Sequence, residues 1–142
     1  MVVIRLKAIA AFFLFLMIGM VAFYISLQSL IDYFKFYDVI IYSWMDCCVL
    51  LSSFVFFLIS IYPAYVIFYG VPIPIGKAKS VYKLILVFFV ASLVIPIAFS
   101  FIYVNKIESK GYIQCRGIPS GWMPGMATKY ATNEALCLKK DP

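Results

Sequence analysis

Residues 84–105 read LILVFFVASLVIPIAFSFIYVN and contain no Asp, Glu, Lys or Arg. A helix needs about 20 apolar residues to cross a bilayer, so this stretch suffices for one crossing and not for two. Residues 8–31 and 47–76 are also free of charged side chains. We therefore predict an all-α integral membrane protein with three transmembrane helices. The three spans are placed near residues 8–27, 45–69 and 84–104.

The composition leads to the same class of protein. The chain has 142 residues, of which 65% are hydrophobic and 13% are charged, whereas a soluble domain carries about 25% charged residues. The lipid bilayer is therefore the first expected partner. The net charge of +6 is spread along the chain without an Arg-rich run, so we expect no nucleic-acid partner.

No enzyme signature is present. The chain lacks histidine altogether, which removes the commonest general base and the commonest metal ligand. The patterns GxSxG, HExxH and CxxC are also absent. We predict a protein that is not an enzyme, with no catalytic residues, no metal and no cofactor.

Basic residues beside the spans predict the orientation. Arg5 and Lys7 precede the first span, and Lys77, Lys79 and Lys83 precede the third, without acidic neighbours. An excess of Lys and Arg marks the cytoplasmic side, although the basic residues of the tail weaken this rule here. The cysteines favour the same orientation, because disulfides persist outside the cytoplasm. We predict a multi-pass membrane protein with a cytoplasmic N-terminus and a C-terminal tail outside the cytoplasm.

Residues 28–44, between the first two spans, have apolar side chains at helical spacing. One interpretation is an interfacial helix on the outer leaflet. The other is that the first span continues beyond the membrane and the second begins early. In either case residues 1–104 form the transmembrane bundle and residues 105–142 the tail.

The tail contains the segment CRGIPSGWMPGMATKYATNEALC, bounded by Cys115 and Cys137. A segment this short cannot bury a core unaided, and we favour a disulfide between its two ends. The competing pairing joins the tail to Cys47 or Cys48. Glycines and prolines within the segment indicate successive turns.

Several side chains in this segment are candidates for partner binding, because binding surfaces are enriched in aromatic residues and methionine. The alternative is that they rest on the membrane surface or on residues 28–44. The candidates are Trp122, Met123, Met126 and Tyr130.

Asp46 adjoins the second apolar run. A carboxylate within a membrane is a functional candidate by default, and we include Asp46 as a polar contact to a partner. The alternative is an interfacial structural role, since Trp44 lies beside it.

Small residues recur at helical spacing within the spans, and such residues allow transmembrane helices to approach closely. We predict that they form the contacts of a three-helix bundle. They are Gly19, Ala22, Ser26, Ser53, Ser60, Ser92 and Ser100.

Two resemblances follow from these features. The tail, with Cys115-Arg116-Gly117, Ser120 to Gly125 and Cys137, resembles a poorly characterised family of enterobacterial inner-membrane proteins of unknown function. This resemblance implies that the chain lies in the bacterial inner membrane, so that its tail is periplasmic. In size, topology and aromatic content the chain also resembles small multi-span immunity proteins against pore-forming toxins. The second resemblance implies a protein that binds and neutralises an antibacterial, membrane-targeting toxin.

The function we expect is therefore an inner-membrane immunity protein with a toxin as its protein partner. One alternative is a structural or accessory subunit of a larger membrane complex. A less favoured alternative is a small transporter or channel that forms by homo-oligomerisation, with Asp46 in its pathway.

Overall fold

The computed structural model describes residues 2–117, 119–121 and 123–138, with only the backbone of Val2. The chain is mostly helical. The helices are α1 Val2–Lys35, α2 Trp44–Ile59, α3 Ile61–Tyr69, α4 Ile75–Ser109 and α5 Glu134–Leu138. The strands are β1 Val39–Ser43, β2 Ile113–Gln114 and β3 Ala127–Ala131.

Three helical segments are long and apolar enough to cross a membrane: Val3–Lys35, Trp44–Tyr69 and Ile75–Ser109. The predicted class, a helical membrane protein with three spanning helices, is confirmed. The first and third segments extend beyond the predicted spans 8–27 and 84–104: α1 continues to Lys35, and α4 begins directly after Pro74 and continues to Ser109.

The second span is built from two helices, α2 and α3, which meet at Ser60. Pro63 lies just after this junction. A proline within a helix removes one backbone donor and its ring clashes with the carbonyl four residues earlier. The interruption therefore follows from the position of Pro63, and the span continues to Gly70, whose φ of 71° ends α3.

Helix α2 is the central helix of the bundle. It packs against α1 on one side and α4 on the other, and α3 packs against α1. The contact between α1 and α2 is close at Gly19, where an added Cβ would lie 2.6 Å from Cε1 of Phe57. Gly19 therefore lies where the two helices leave no room for a larger side chain.

The predicted packing residues are otherwise small polar or apolar side chains inside the bundle. Four serines are buried, whereas Ala22 and Ser100 are partly buried. The buried serines among the predicted packing residues are Ser26, Ser53, Ser60 and Ser92. Three of them donate to carbonyls of their own helix: Ser53 to Leu50, Ser60 to Phe57 and Ser92 to Phe89, at 2.6, 2.6 and 2.7 Å. These serines therefore permit close packing without exposing an unpaired hydroxyl to hydrocarbon.

A small antiparallel sheet lies at one end of the bundle, with strand order β1-β3-β2. The register runs from Val39 opposite Ala131 to Ser43 opposite Ala127. Because β1 belongs to the connection between α1 and α2, the tail folds back onto the bundle. We call residues 39–43 and 112–138 together the sheet cap. The sequence analysis did not predict this sheet.

The secondary structure of residues 28–44 differs from both interpretations given in the sequence analysis. Helix α1 continues to Lys35, as the second interpretation required, but residues 39–43 form a strand rather than a helix. Phe36 ends the helix with a positive φ of 49°. Val39, Ile40 and Ile41 are β-branched, and such residues pack well in a pleated strand.

The predicted disulfide between Cys115 and Cys137 is present, with the two Cα atoms 5.3 Å apart. It joins the residue after β2 to α5. Cys47 and Cys48 are free, the first buried and the second partly buried, so the competing pairing to the tail is not formed.

Candidate functional site

The sheet cap rests on a cluster of buried aromatic and aliphatic side chains drawn from both parts of the molecule. Its members are Tyr33, Ile40, Tyr42, Tyr103, Ile107, Tyr112 and Tyr130. Helices α1 and α4 supply Tyr33, Tyr103 and Ile107, and the cap supplies the rest. The cap and the ends of the spans therefore share one core.

Tyr33 is the polar centre of this junction. Its hydroxyl donates to the carboxylate of Asp46 and accepts from the backbone N–H of Ser43 at 3.0 Å. The hydroxyl of Tyr103 donates to the backbone carbonyl of Tyr33 at 2.7 Å. One tyrosine thus connects the end of α1, the start of α2 and helix α4.

Asp46 lies in the first turn of α2 and is partly buried. A carboxylate at this position interacts favourably with the helix dipole, and its bond from Tyr33 ties α2 to α1. In this structure Asp46 is a contact inside the junction.

Tyr112 fixes the turn between α1 and β1. Its hydroxyl lies 2.9 Å from the carbonyl oxygen of Phe36 and 3.0 Å from that of Tyr37, and donates to them. Phe36 has the left-handed backbone conformation that non-glycine residues rarely adopt. The tail therefore supports the turn that begins β1.

Trp44 connects the cap to the membrane boundary. Its indole Nε1 donates to the carbonyl oxygen of Gly125 at 3.2 Å, and Trp44 is the first residue of the second span. Tryptophan at the end of a span sits at headgroup level. The loop that contains Gly125 is therefore held close to the membrane surface.

The predicted contact residues of the tail fall into different environments. Met123 is exposed, with 66% of its surface accessible, and Met126 is partly buried. Tyr130 is 4% exposed and belongs to the shared core, because its position in β3 faces the bundle. Trp122 lies outside the described residues. Among the three described candidates, Met123 is exposed on the surface of the cap, and Tyr130 packs beneath it.

Arg116 is a surface residue that the sequence analysis did not select as a contact. It lies between two open grooves, each of about 510 Å³. The first groove runs along the disulfide to Glu134 and Leu138, and the second reaches Gly125 and Thr128. Arginine is enriched among the residues that dominate binding energy. The sequence feature that pointed to Arg116 is its position next to Cys115, because the disulfide restricts the backbone at Arg116.

Two tyrosines of the cap, Tyr42 and Tyr130, have raised pKa values. Burial raises the pKa of Tyr130, and burial raises that of Tyr42, with a partial offset from the neighbouring Ser100 hydroxyl. Although the Ser100 hydroxyl is its neighbour, the buried Tyr42 hydroxyl has no partner in hydrogen-bond geometry among the residues that the structure describes. Within the described residues, no three His, Cys, Asp or Glu side chains are grouped to hold a metal ion. The surface of the cap is therefore supported by the buried core that it shares with the spans and by its disulfide.

Comparison with known proteins identifies the family of the chain. A family model described as "Protein of unknown function (DUF1240)" matches residues 40–138, from β1 through the last described helix. No curated protein and no solved structure matches the chain. The matched region contains the sheet cap except Val39, together with the second and third spans.

Proposed function

The chain belongs to the DUF1240 family, whose function is unknown, and from this premise we propose that it is a non-enzymatic immunity protein of the bacterial inner membrane. Its sheet cap binds an incoming membrane-targeting toxin at the periplasmic face and keeps the toxin from opening a pore. The grooves on either side of Arg116, together with Met123, are the proposed contact surface.

The observation that carries this proposal is the rigid attachment of the cap to the spans. A surface that is ordered before binding loses less conformational entropy when the partner arrives. The cap is ordered by the disulfide, by the strand pairing of β1 with β3 and by the shared tyrosine core. A protein that only filled space in a membrane would need none of these.

Two observations support a periplasmic cap. Disulfides persist in oxidising compartments, and Cys115–Cys137 closes the cap. The opposite end of the bundle carries Lys77, Lys79 and Lys83, in agreement with the excess of positive charge expected on the cytoplasmic side. An incoming toxin meets the periplasmic face first.

The test is protection of living cells. The candidate toxin is the product of the gene adjacent to the one that encodes this chain, expressed with an export signal in cells that carry or lack the chain. We expect growth to be rescued by the wild type and to be weakened by Arg116→Ala with Met123→Ala. Lys79→Ala, at the opposite end of the bundle, is the matched control and should rescue fully.

Two outcomes would count against the proposal. The first is that cells with and without the chain show equal sensitivity to the adjacent gene product. The second is that the doubly substituted cap rescues as well as the wild type although the grooves are altered.

The second candidate function, a subunit of a larger membrane complex, is favoured by the arrangement of the spans. Helices α1 and α4 lie on opposite sides of α2, and each exposes large apolar side chains along its length. Helices of other subunits would pack against these exposed apolar surfaces of α1 and α4. Purification in a mild detergent after crosslinking in cells would identify such a subunit, and loss of that assembly on deletion of this chain would favour this candidate over immunity.

A further inference from the structure

Two lysines near the end of α4 meet the turn that follows α1. The Nζ atom of Lys110 lies 3.4 Å from the ring centroid of Phe36, and that of Lys106 lies 6.0 Å from the same centroid. Both lysines are exposed. Two positive charges therefore flank one aromatic ring where the first and third spans end.

Among the described residues, neither Lys106 nor Lys110 forms an ion pair with a carboxylate. Asp32 is paired with Lys35 at 2.7 Å. Glu108 lies on the opposite side of α4, where its charge acts on Tyr130 of the cap. Each helix C-terminus contributes only about half a negative charge, so the two lysines leave this surface positive.

Below the lysines the surface becomes apolar and faces lipid. Ile102 precedes Lys106 by one helical turn and is 69% exposed. Phe34 of α1 is 56% exposed, and its ring contacts Tyr103 of α4 at 6.3 Å between centroids. A positive surface that continues directly into an apolar one suits a molecule with an anionic head and hydrocarbon chains.

We propose that Lys106 and Lys110 bind the headgroup of an anionic phospholipid beside Phe36, with its acyl chains along Ile102 and Phe34. The lysines lie at the ends of spanning helices, where headgroups are found, and basic residues at this depth attract anionic lipids. A free phosphate ion would satisfy the charges and leave the apolar surface unused. The site does not depend on the proposed function.

The test uses the full-length chain with its disulfide intact, purified in a mild non-ionic detergent. Native mass spectrometry would compare phosphatidylglycerol with phosphatidylcholine of the same acyl chains. We expect the wild type to retain phosphatidylglycerol preferentially and K106Q/K110Q to bind it about 25-fold more weakly, at about fivefold for each charge removed. K106R/K110R keeps both charges and should retain the lipid.

The matched control is K77Q/K79Q, which removes two exposed lysines at the other end of the bundle and should leave this affinity unchanged. Inorganic phosphate at the same concentration should not displace the lipid. The proposal is wrong if the wild type binds both lipids equally, if the control loses as much affinity as K106Q/K110Q, or if inorganic phosphate competes as well as the lipid. If K106Q/K110Q does not fold, the salt dependence of lipid binding by the wild type is measured instead. We expect the wild type to release phosphatidylglycerol as the salt concentration rises. Retention of the lipid at all salt concentrations overturns the proposal.

Discussion

Two tyrosines in the shared core differ in how their hydroxyls are satisfied. Tyr33 is bonded to Asp46 and Ser43, whereas the Tyr42 hydroxyl is buried without a hydrogen-bond partner. Removing a hydroxyl that satisfies buried groups leaves those groups unpaired, but removing an unsatisfied hydroxyl costs little. The two side chains are in contact, with ring centroids 5.4 Å apart, so they test the same environment.

We expect Tyr33→Phe to lower the free energy of unfolding by about 2–3 kcal/mol, because both Asp46 and the Ser43 N–H lose their partner. Tyr42→Phe is the matched control and should leave stability unchanged or raise it by up to about 1 kcal/mol. Thermal unfolding in detergent micelles measures both. Equal losses in the two variants would show that ring packing, and not the hydroxyl network, holds the junction.

Among the elements, α1 and α2 depend on close approach at Gly19. A side chain there must displace the ring of Phe57, and inserting atoms into a packed interface costs about 1–3 kcal/mol. Gly19→Leu should therefore lower the unfolding temperature in detergent. Gly76→Leu, in the first turn of α4, is the control, because an added Cβ at Gly76 meets nothing within 4 Å. If Gly19→Leu were tolerated as well as Gly76→Leu, the bundle would not be packed at this position.

The sheet cap is the element whose stability depends on covalent closure. The disulfide joins residues 22 positions apart, and a loop of this size contributes about 3 kcal/mol in the chain-entropy model. Replacing Cys115 and Cys137 by serine should lose protection from hydrogen exchange across β2, β3 and α5. The spans should stay protected, because their backbone bonds are satisfied within each helix. Cys47→Ser with Cys48→Ser is the control and should leave the cap protected.

The spans and the cap also differ in how far the sequence predicts them. A spanning helix satisfies its backbone internally, so its position follows from local hydropathy. The sheet pairs Ile40 with Tyr130, from opposite ends of the matched region, and nothing local in either strand identifies the other. For the same reason composition predicts Met123 and Tyr130 alike as contact residues, whereas the burial of Tyr130 and the grooves that flank Arg116 follow only from the fold.

At the scale of the whole molecule, the three spans place the cap and the connection before α4 on opposite sides of the membrane. Two lines of reasoning assign the sides: positive charge marks the cytoplasmic side, and a stable disulfide marks the oxidising side. They use different residues, Lys77 and its neighbours in the first case and Cys115 with Cys137 in the second. Their agreement strengthens the proposed orientation, because the charge rule alone is weakened by the basic residues of the tail.

A reporter enzyme that is active only in the periplasm tests this orientation. We expect activity when the reporter is fused after Pro142 and none when it is fused after Pro74, since the proposed orientation places the cap in the periplasm and the connection before α4 in the cytoplasm. Western blotting of both fusions controls for expression. The reversed pattern would place the disulfide in a reducing compartment and remove the basis for toxin binding by the cap. The lipid contact of Lys106 and Lys110 would survive that result, because anionic headgroups are available to a basic surface in either leaflet and its own assay uses purified protein.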